Sequence, residues 1–151
     1  MTTTATPHPA AATWRAYLGL CKLRVVSAIV FTAVIGMFLA VPGLPPLAAT
    51  FWGALGIGLA AASAAALNHV YDREIDGKMG RTEYRPLPQS QLQPREANIF
   101  ALLLGVLSMV ILTVFVNPLT AVLTFVSLIG YAVIYTRYLK RITAQNIVIG
   151  G

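Results

Sequence analysis

Two long stretches of this chain, Val25 to Tyr71 and Ala97 to Thr136, contain no Asp, Glu, Lys or Arg. A helix crosses the hydrocarbon core of a bilayer with about 20 apolar residues, at roughly 1.5 Å of rise each. Each stretch is therefore long enough for two crossings. Each is also interrupted near its middle, by Pro42-Gly43-Leu44-Pro45-Pro46 in the first and by Asn117-Pro118 in the second. Proline lacks the backbone donor that a continuing helix needs, and glycine is permissive of turns. The pattern predicts two helical hairpins, with spans at 25–41 and 50–71 and then at 97–116 and 119–138. The expected fold is all-α, a polytopic transmembrane helical bundle of four spans. From Gln145 the sequence turns apolar again and reads as the start of a fifth.

Composition supports a bilayer as the solvent. Of 151 residues, 57% are hydrophobic and 11% charged, against about 25% charged in a soluble domain. A net charge of +6 often suggests nucleic acid, but here the basic residues are few and lie between the apolar runs. Along the chain, Lys and Arg number three before the first span, none in its turn, five between the hairpins, none in the second turn and three after the fourth span. Basic residues concentrate on the cytoplasmic side of membranes. The amino terminus, the 72–96 loop and the chain end are thus expected in the cytoplasm, with the chain in the inner (plasma) membrane. Residues 1–13, rich in Thr and Ala around Pro7 and Pro9, read as a flexible cytoplasmic tail, and 14–151 as membrane domain. A cleaved signal peptide is the rival reading of the first 40 residues, but the apolar stretch is too long and its basic flank too far along the chain. The lone cysteine, Cys21, excludes an internal disulfide and a cysteine-based zinc site.

Chemistry is concentrated in the 72–96 loop, which holds all five acidic residues. Its entry reads Asn68-His69-Val70-Tyr71-Asp72-Arg73-Glu74-Ile75-Asp76. If the second span continues as a helix to Asp76, then Asn68, Asp72 and Asp76 fall on one face, in a stripe about 12 Å long. Two carboxylates and an amide suit a hard cation such as magnesium, which is commonly held by one or two carboxylates together with substrate phosphates. Lys78, Arg81 and Arg85 follow at once, and arginine grips phosphate oxygens bidentately. The plainer alternative is a solvated helix end, with Asp72 and Asp76 pairing with Arg73 or Arg81. Asn68 argues against it, because a polar amide inside an apolar run is costly unless it has a partner or lines a cavity.

Other residues have simpler readings. His69 points about 100° away from Asn68 on a helix and suits packing or hydrogen bonding better than ligation. Gly53, Gly56 and Gly58, with Ser63 and the alanines up to Ala66, form a small-residue face for close helix packing. Lys22 and Arg24 read as interfacial anchors, and Tyr131, Tyr135 and Tyr138 as an interfacial aromatic belt. Cys21 has no evident activating neighbour. Pro94-Arg95-Glu96 looks like the first turn of the third span, where proline's missing donor costs least.

Asn68, Asp72 and Asp76, followed by Arg81-Thr82-Glu83-Tyr84-Arg85-Pro86, resemble the first aspartate-rich motif of the intramembrane prenyltransferases of the UbiA superfamily. In that superfamily Asn-x3-Asp-x3-Asp, then Arg-Thr-x2-Arg-Pro, binds an isoprenoid diphosphate through magnesium. The segments Tyr17–Arg24 and Leu139–Gly151 resemble the first helix and the fifth-helix entry of the branch that farnesylates haem. The resemblance implies transfer of a farnesyl group from farnesyl diphosphate to a vinyl group of haem b. Asn68, Asp72 and Asp76 would hold Mg2+ as the catalytic and metal site, with Lys78, Arg81 and Arg85 binding the diphosphate. Leu23 stands where the family commonly has proline and Tyr84 where it often has asparagine, and neither change removes a charged group from the site. Superfamily members have about twice this length and a second aspartate-rich motif facing the first. The chain is therefore expected to be an amino-terminal half-site, inactive without its carboxy-terminal partner half. Two alternatives stay open: a prenyltransferase acting on 4-hydroxybenzoate or another quinone precursor, and a non-enzymatic binding or transport module for a phosphorylated lipid.

Overall fold

The computed structural model describes residues 9–76, 78, 80, 92–145 and 148–149, and among these it holds helices and no strand. The helices are α1 (Pro9–Leu20), α2 (Leu23–Leu39), α3 (Leu47–Asp76), α4 (Pro94–Phe115) and α5 (Pro118–Ile129). A π-helical segment, Gly130–Leu139, continues α5, and the short α6 (Lys140–Ile142) ends it. Among the described residues, Leu47–Glu74, Pro94–Phe115 and Pro118–Ile142 are each long and apolar enough to cross a membrane. The pair Trp14–Leu20 and Leu23–Leu39, bent by 53°, makes a fourth if it crosses as one. The all-α polytopic bundle expected from the charge-free runs is thus present.

Several boundaries differ from the sequence expectation. The chain is already helical from Pro9, inside the segment read as a tail to residue 13, while 1–8 lie outside the described residues. Pro9 is tolerated as a first helical residue, and the alanines after it are the strongest helix formers. α3 begins three residues before the expected span and runs on to Asp76. α4 starts at Pro94 with Gln93 as its cap, the Gln93 backbone N–H donating to Glu96 Oε2 at 3.0 Å. Asn117 caps α5, its Oδ1 accepting from the Thr120 N–H at 2.7 Å. The expected start of a fifth span falls partly outside the described residues, with Val148 and Ile149 helical.

α3 is the central element and touches α1, α2, α4, α5 and the π-helical segment. Without a hydrophobic drive between helices in lipid, association depends on close packing of small residues and on interhelical hydrogen bonds. Both are present between α3 and α4. Ser63 Oγ donates to the Ala101 carbonyl at 2.7 Å, and Ser108 Oγ to the Gly56 carbonyl at 2.6 Å. Gly56 has no room for a side chain, since a Cβ there would lie 2.6 Å from Leu112. At the end of the bundle nearer Asp72, Ala16, Leu20, Ala66, Leu92, Ala97 and Ala101 form a buried cluster, flanked by the Tyr17–Phe100 ring pair at 4.8 Å. At the other end Trp52 stacks on Phe115 at 4.3 Å. The outer faces of α4 and α5 show large apolar side chains such as Leu102, Val106, Val110 and Val122, as suits contact with lipid.

The α3–α4 seam makes a stability prediction. Gly56→Val forces Leu112 out of place and is expected to cost about 1–3 kcal/mol, read as a lower melting temperature in detergent. Gly36→Ala, where a Cβ meets nothing within 4 Å, is expected to melt within error of the parent.

Candidate active site

Continuation of α3 past its apolar run places Asn68 and Asp72 one turn apart, both almost wholly buried at 4% and 2% exposure. A carboxylate taken out of water needs compensation, and here it comes from the far end of the chain. Lys140 Nζ lies 2.5 Å from Asp72 Oδ2, and that lysine side chain is still 43% exposed. Among the described residues Asp72 therefore pairs with Lys140, and Arg81, which the plainer sequence reading offered as a partner, lies outside them. The other oxygen, Asp72 Oδ1, is buried and accepts no hydrogen bond from any described residue.

The hydrogen bonds around Asn68 fix its amide orientation. Thr136 Oγ1 donates its one proton to the Tyr131 carbonyl at 2.9 Å, so toward Asn68 it acts as an acceptor. Asn68 Nδ2 then donates to Thr136 Oγ1 at 3.1 Å and to Asp72 Oδ2 at 3.2 Å, while Asn68 Oδ1 accepts from Lys22 Nζ at 2.9 Å. Thr136 lies within the π-helical segment, and its bond to Tyr131 spans five residues. π-helical turns are frequent at functional sites. Arg141 ties the same end of the bundle to α3, Nη2 donating to the Tyr71 carbonyl at 3.0 Å.

Lys22 reaches Asn68 because the chain breaks at that point. It adopts φ 48° and ψ 57° between α1 and α2, the only positive-φ non-glycine among the described residues. Left-handed backbone costs an L-residue about 1–2 kcal/mol. Its carbonyl accepts from the N–H groups of Val25 and Val26, and Cys21 Sγ donates to the Tyr17 carbonyl at 3.4 Å. Lys22 and Tyr131 also line a cavity of about 290 Å³ that continues between α2, α3 and α5 past Val25, Ile29, Ala61 and Ala64. A polar cluster thus adjoins an apolar hollow.

The remaining sequence candidates are placed as follows. Asp76 is the last residue of α3, and its side chain lies outside what is described, as do Arg81 and Arg85 entirely. Lys78 sits in an exposed turn. Among the described residues there is no group of three or more His, Cys, Asp or Glu that could hold a metal. His69 is buried at 3%, in keeping with packing. Of the three tyrosines read as a belt, Tyr131 and Tyr135 stack at 5.4 Å and Tyr138 is exposed. Sequence reasoning missed Thr136 and Lys140 as neighbours of the pair and took Lys22 for an anchor. The intact helical register from Asn68 to Asp72 was its correct signal.

In this helical membrane bundle Lys22 links a buried amide–carboxylate pair to the wall of an apolar cavity, so a polar and an apolar compartment meet at one side chain. The chain belongs to the UbiA prenyltransferase family, whose sequence model matches residues 29–151. It is 64% identical over its whole length to a protein named protoheme IX farnesyltransferase from Methylococcus capsulatus, covering 51% of that protein. A protein of the same name from Nitrosococcus oceani is 56% identical over the whole chain, which covers 50% of it. Another from Thioalkalivibrio sulfidiphilus is 60% identical over 93% of the chain and 47% of the relative. The chain spans about half the length of these curated relatives. No solved structure matches it.

The ion pair is testable by a double-mutant cycle. Lys140→Met strands the buried Asp72 carboxylate and is expected to destabilise by about 1–3 kcal/mol. Adding Asp72→Asn is expected to recover most of that loss, read as melting temperatures of the two single variants and the pair in detergent. Additive losses would show that the two residues do not interact.

Proposed function

We propose that the protein carrying this chain transfers a farnesyl group from farnesyl diphosphate to a vinyl group of haem b, giving haem O. The observation that carries the reading is the buried Asp72 Oδ1, which no described residue satisfies, on the helix whose preceding turns line a hollow of apolar walls. An unsatisfied carboxylate oxygen matches the donor chemistry of a hard cation, and the Asn68 amide oxygen, which accepts from Lys22 here, is a second oxygen donor of the same kind. Asn68 and Asp72, with Asp76 one turn further along α3, would hold magnesium. When bound, that ion supplies Lewis-acid neutralisation of the diphosphate. Lys78, Arg81 and Arg85 follow α3 in sequence and would balance the remaining phosphate charge. The apolar residues of α2, α3 and α5 take the isoprenoid tail and exclude water as the bond to its first carbon lengthens. The names of the relatives support haem as acceptor. The charge asymmetry of the loops supports a multi-pass protein of the plasma membrane, with its amino terminus and the 72–96 loop in the cytoplasm.

In the full-length protein, Asp72→Asn and Asp76→Asn are each expected to lower turnover by about 100-fold or more while membrane insertion is retained. The assay follows haem O by mass, with farnesyl diphosphate and haem b supplied and magnesium titrated against a chelator. Parent-like rates in the variants, or turnover indifferent to chelation, would reject the metal assignment. Substituting 4-hydroxybenzoate for haem b is expected to give no product. These 151 residues expressed alone are expected to insert but make no haem O, and co-expression with the remaining half of a relative is expected to restore it.

A further inference from the structure

The sequence reads Lys22 as an interfacial anchor, and an anchoring lysine keeps its ammonium in the headgroup region or water. In the structure the ammonium turns inward instead, to the buried Asn68 amide oxygen at 2.9 Å. Its backbone is the second anomaly. Lys22 holds a left-handed conformation at the 53° break between α1 and α2, a conformation that glycine takes without penalty. A lysine at such a position gains nothing for the backbone, and strain of this kind clusters at ligand-binding and active sites. The third observation is placement. Lys22 lies both in the polar cluster and on the wall of the cavity of about 290 Å³. An amphiphile with its anionic head at Asn68 and Asp72 and its tail in that cavity must pass Lys22 where head becomes tail.

We propose that Lys22 is a substrate-binding residue whose ammonium takes the phosphate oxygens next to the isoprenoid carbon, provided that the cavity holds an isoprenoid diphosphate as proposed above. At that position it neutralises the charge that develops on the departing diphosphate. The break between α1 and α2 is then the device that turns this side chain inward. Lys22 precedes the residues that the family model matches, 29–151.

The test uses the full-length protein with three variants and the parent. Lys22→Gly relieves the left-handed backbone while giving up the bond to Asn68, two opposing effects of similar size, so it is expected to melt close to the parent while turnover falls about 100-fold or more. Lys22→Arg keeps the charge and is expected to stay within about tenfold of the parent. In the parent itself, farnesyl diphosphate is expected to protect the Lys22 amine from acylation, read by peptide mass, whereas farnesol is not. Asp72→Asn runs alongside. If it keeps parent activity, the reading of the site fails. If it is inactive while Lys22→Gly turns over within about threefold of the parent, Lys22 is a structural hinge and the inference alone is overturned. Absence of protection by farnesyl diphosphate overturns it equally, even if the glycine variant proves unstable.

Discussion

The buried carboxylate of Asp72 sets what the elements around it must supply. Hydrocarbon offers neither hydrogen bonds nor counter-charge, so an ionisable group in a bundle faces the interior and finds its partners there. Asp72 Oδ2 has two, the Lys140 ammonium and the Asn68 amide. Each partner is held in turn: Asn68 by Thr136 and Lys22, Thr136 by the Tyr131 carbonyl. The network draws together the break after α1, the carboxy-terminal third of α3 and the π-helical end of the last span. Those three places are where the backbone departs from a plain α-helical hairpin or where the apolar run ends.

Much of the frame was legible in the sequence, because a bilayer imposes long charge-free runs that soluble folds do not need. Pro94 and Asn117-Pro118 marked two helix starts within a residue, since proline is suited to a first turn and little else in a helix. Asn68 and Asp72 were legible as a pair because four-residue spacing fixes a shared face whatever the tertiary structure. What escaped was long-range or irregular. Lys140 meets Asp72 across 68 residues of chain, and no local spacing encodes that. The π-helical segment has no breaker at its start except Gly130, and the α1–α2 break falls at Cys21-Lys22 with neither glycine nor proline to announce it. Charge counting gave Lys22 and Lys140 the same role, a cytoplasmic flank, though the fold brings both ammonium groups to one buried pair.

The small residues of α3 have two consequences that follow from one cause. Toward α4, Gly56 and Ser63 permit close approach and expose carbonyls and hydroxyls to interhelical hydrogen bonds. Toward α2 and α5, Ala60, Ala61, Ala64 and Ala65 are too short to fill the space, and the cavity remains. α2 has no buried residue and so does not close it. A leucine-rich α3 would bury more area and stand more firmly against its neighbours, but its side chains would occupy the hollow. The alanine run therefore trades packing on one face for an apolar space that lies one to two turns before the Asn68–Asp72 pair on the same helix. On the proposed reading, head and tail of an amphiphilic ligand would fall to successive turns of a single rigid element, and the distance between them would be set by helical rise instead of by loop conformation.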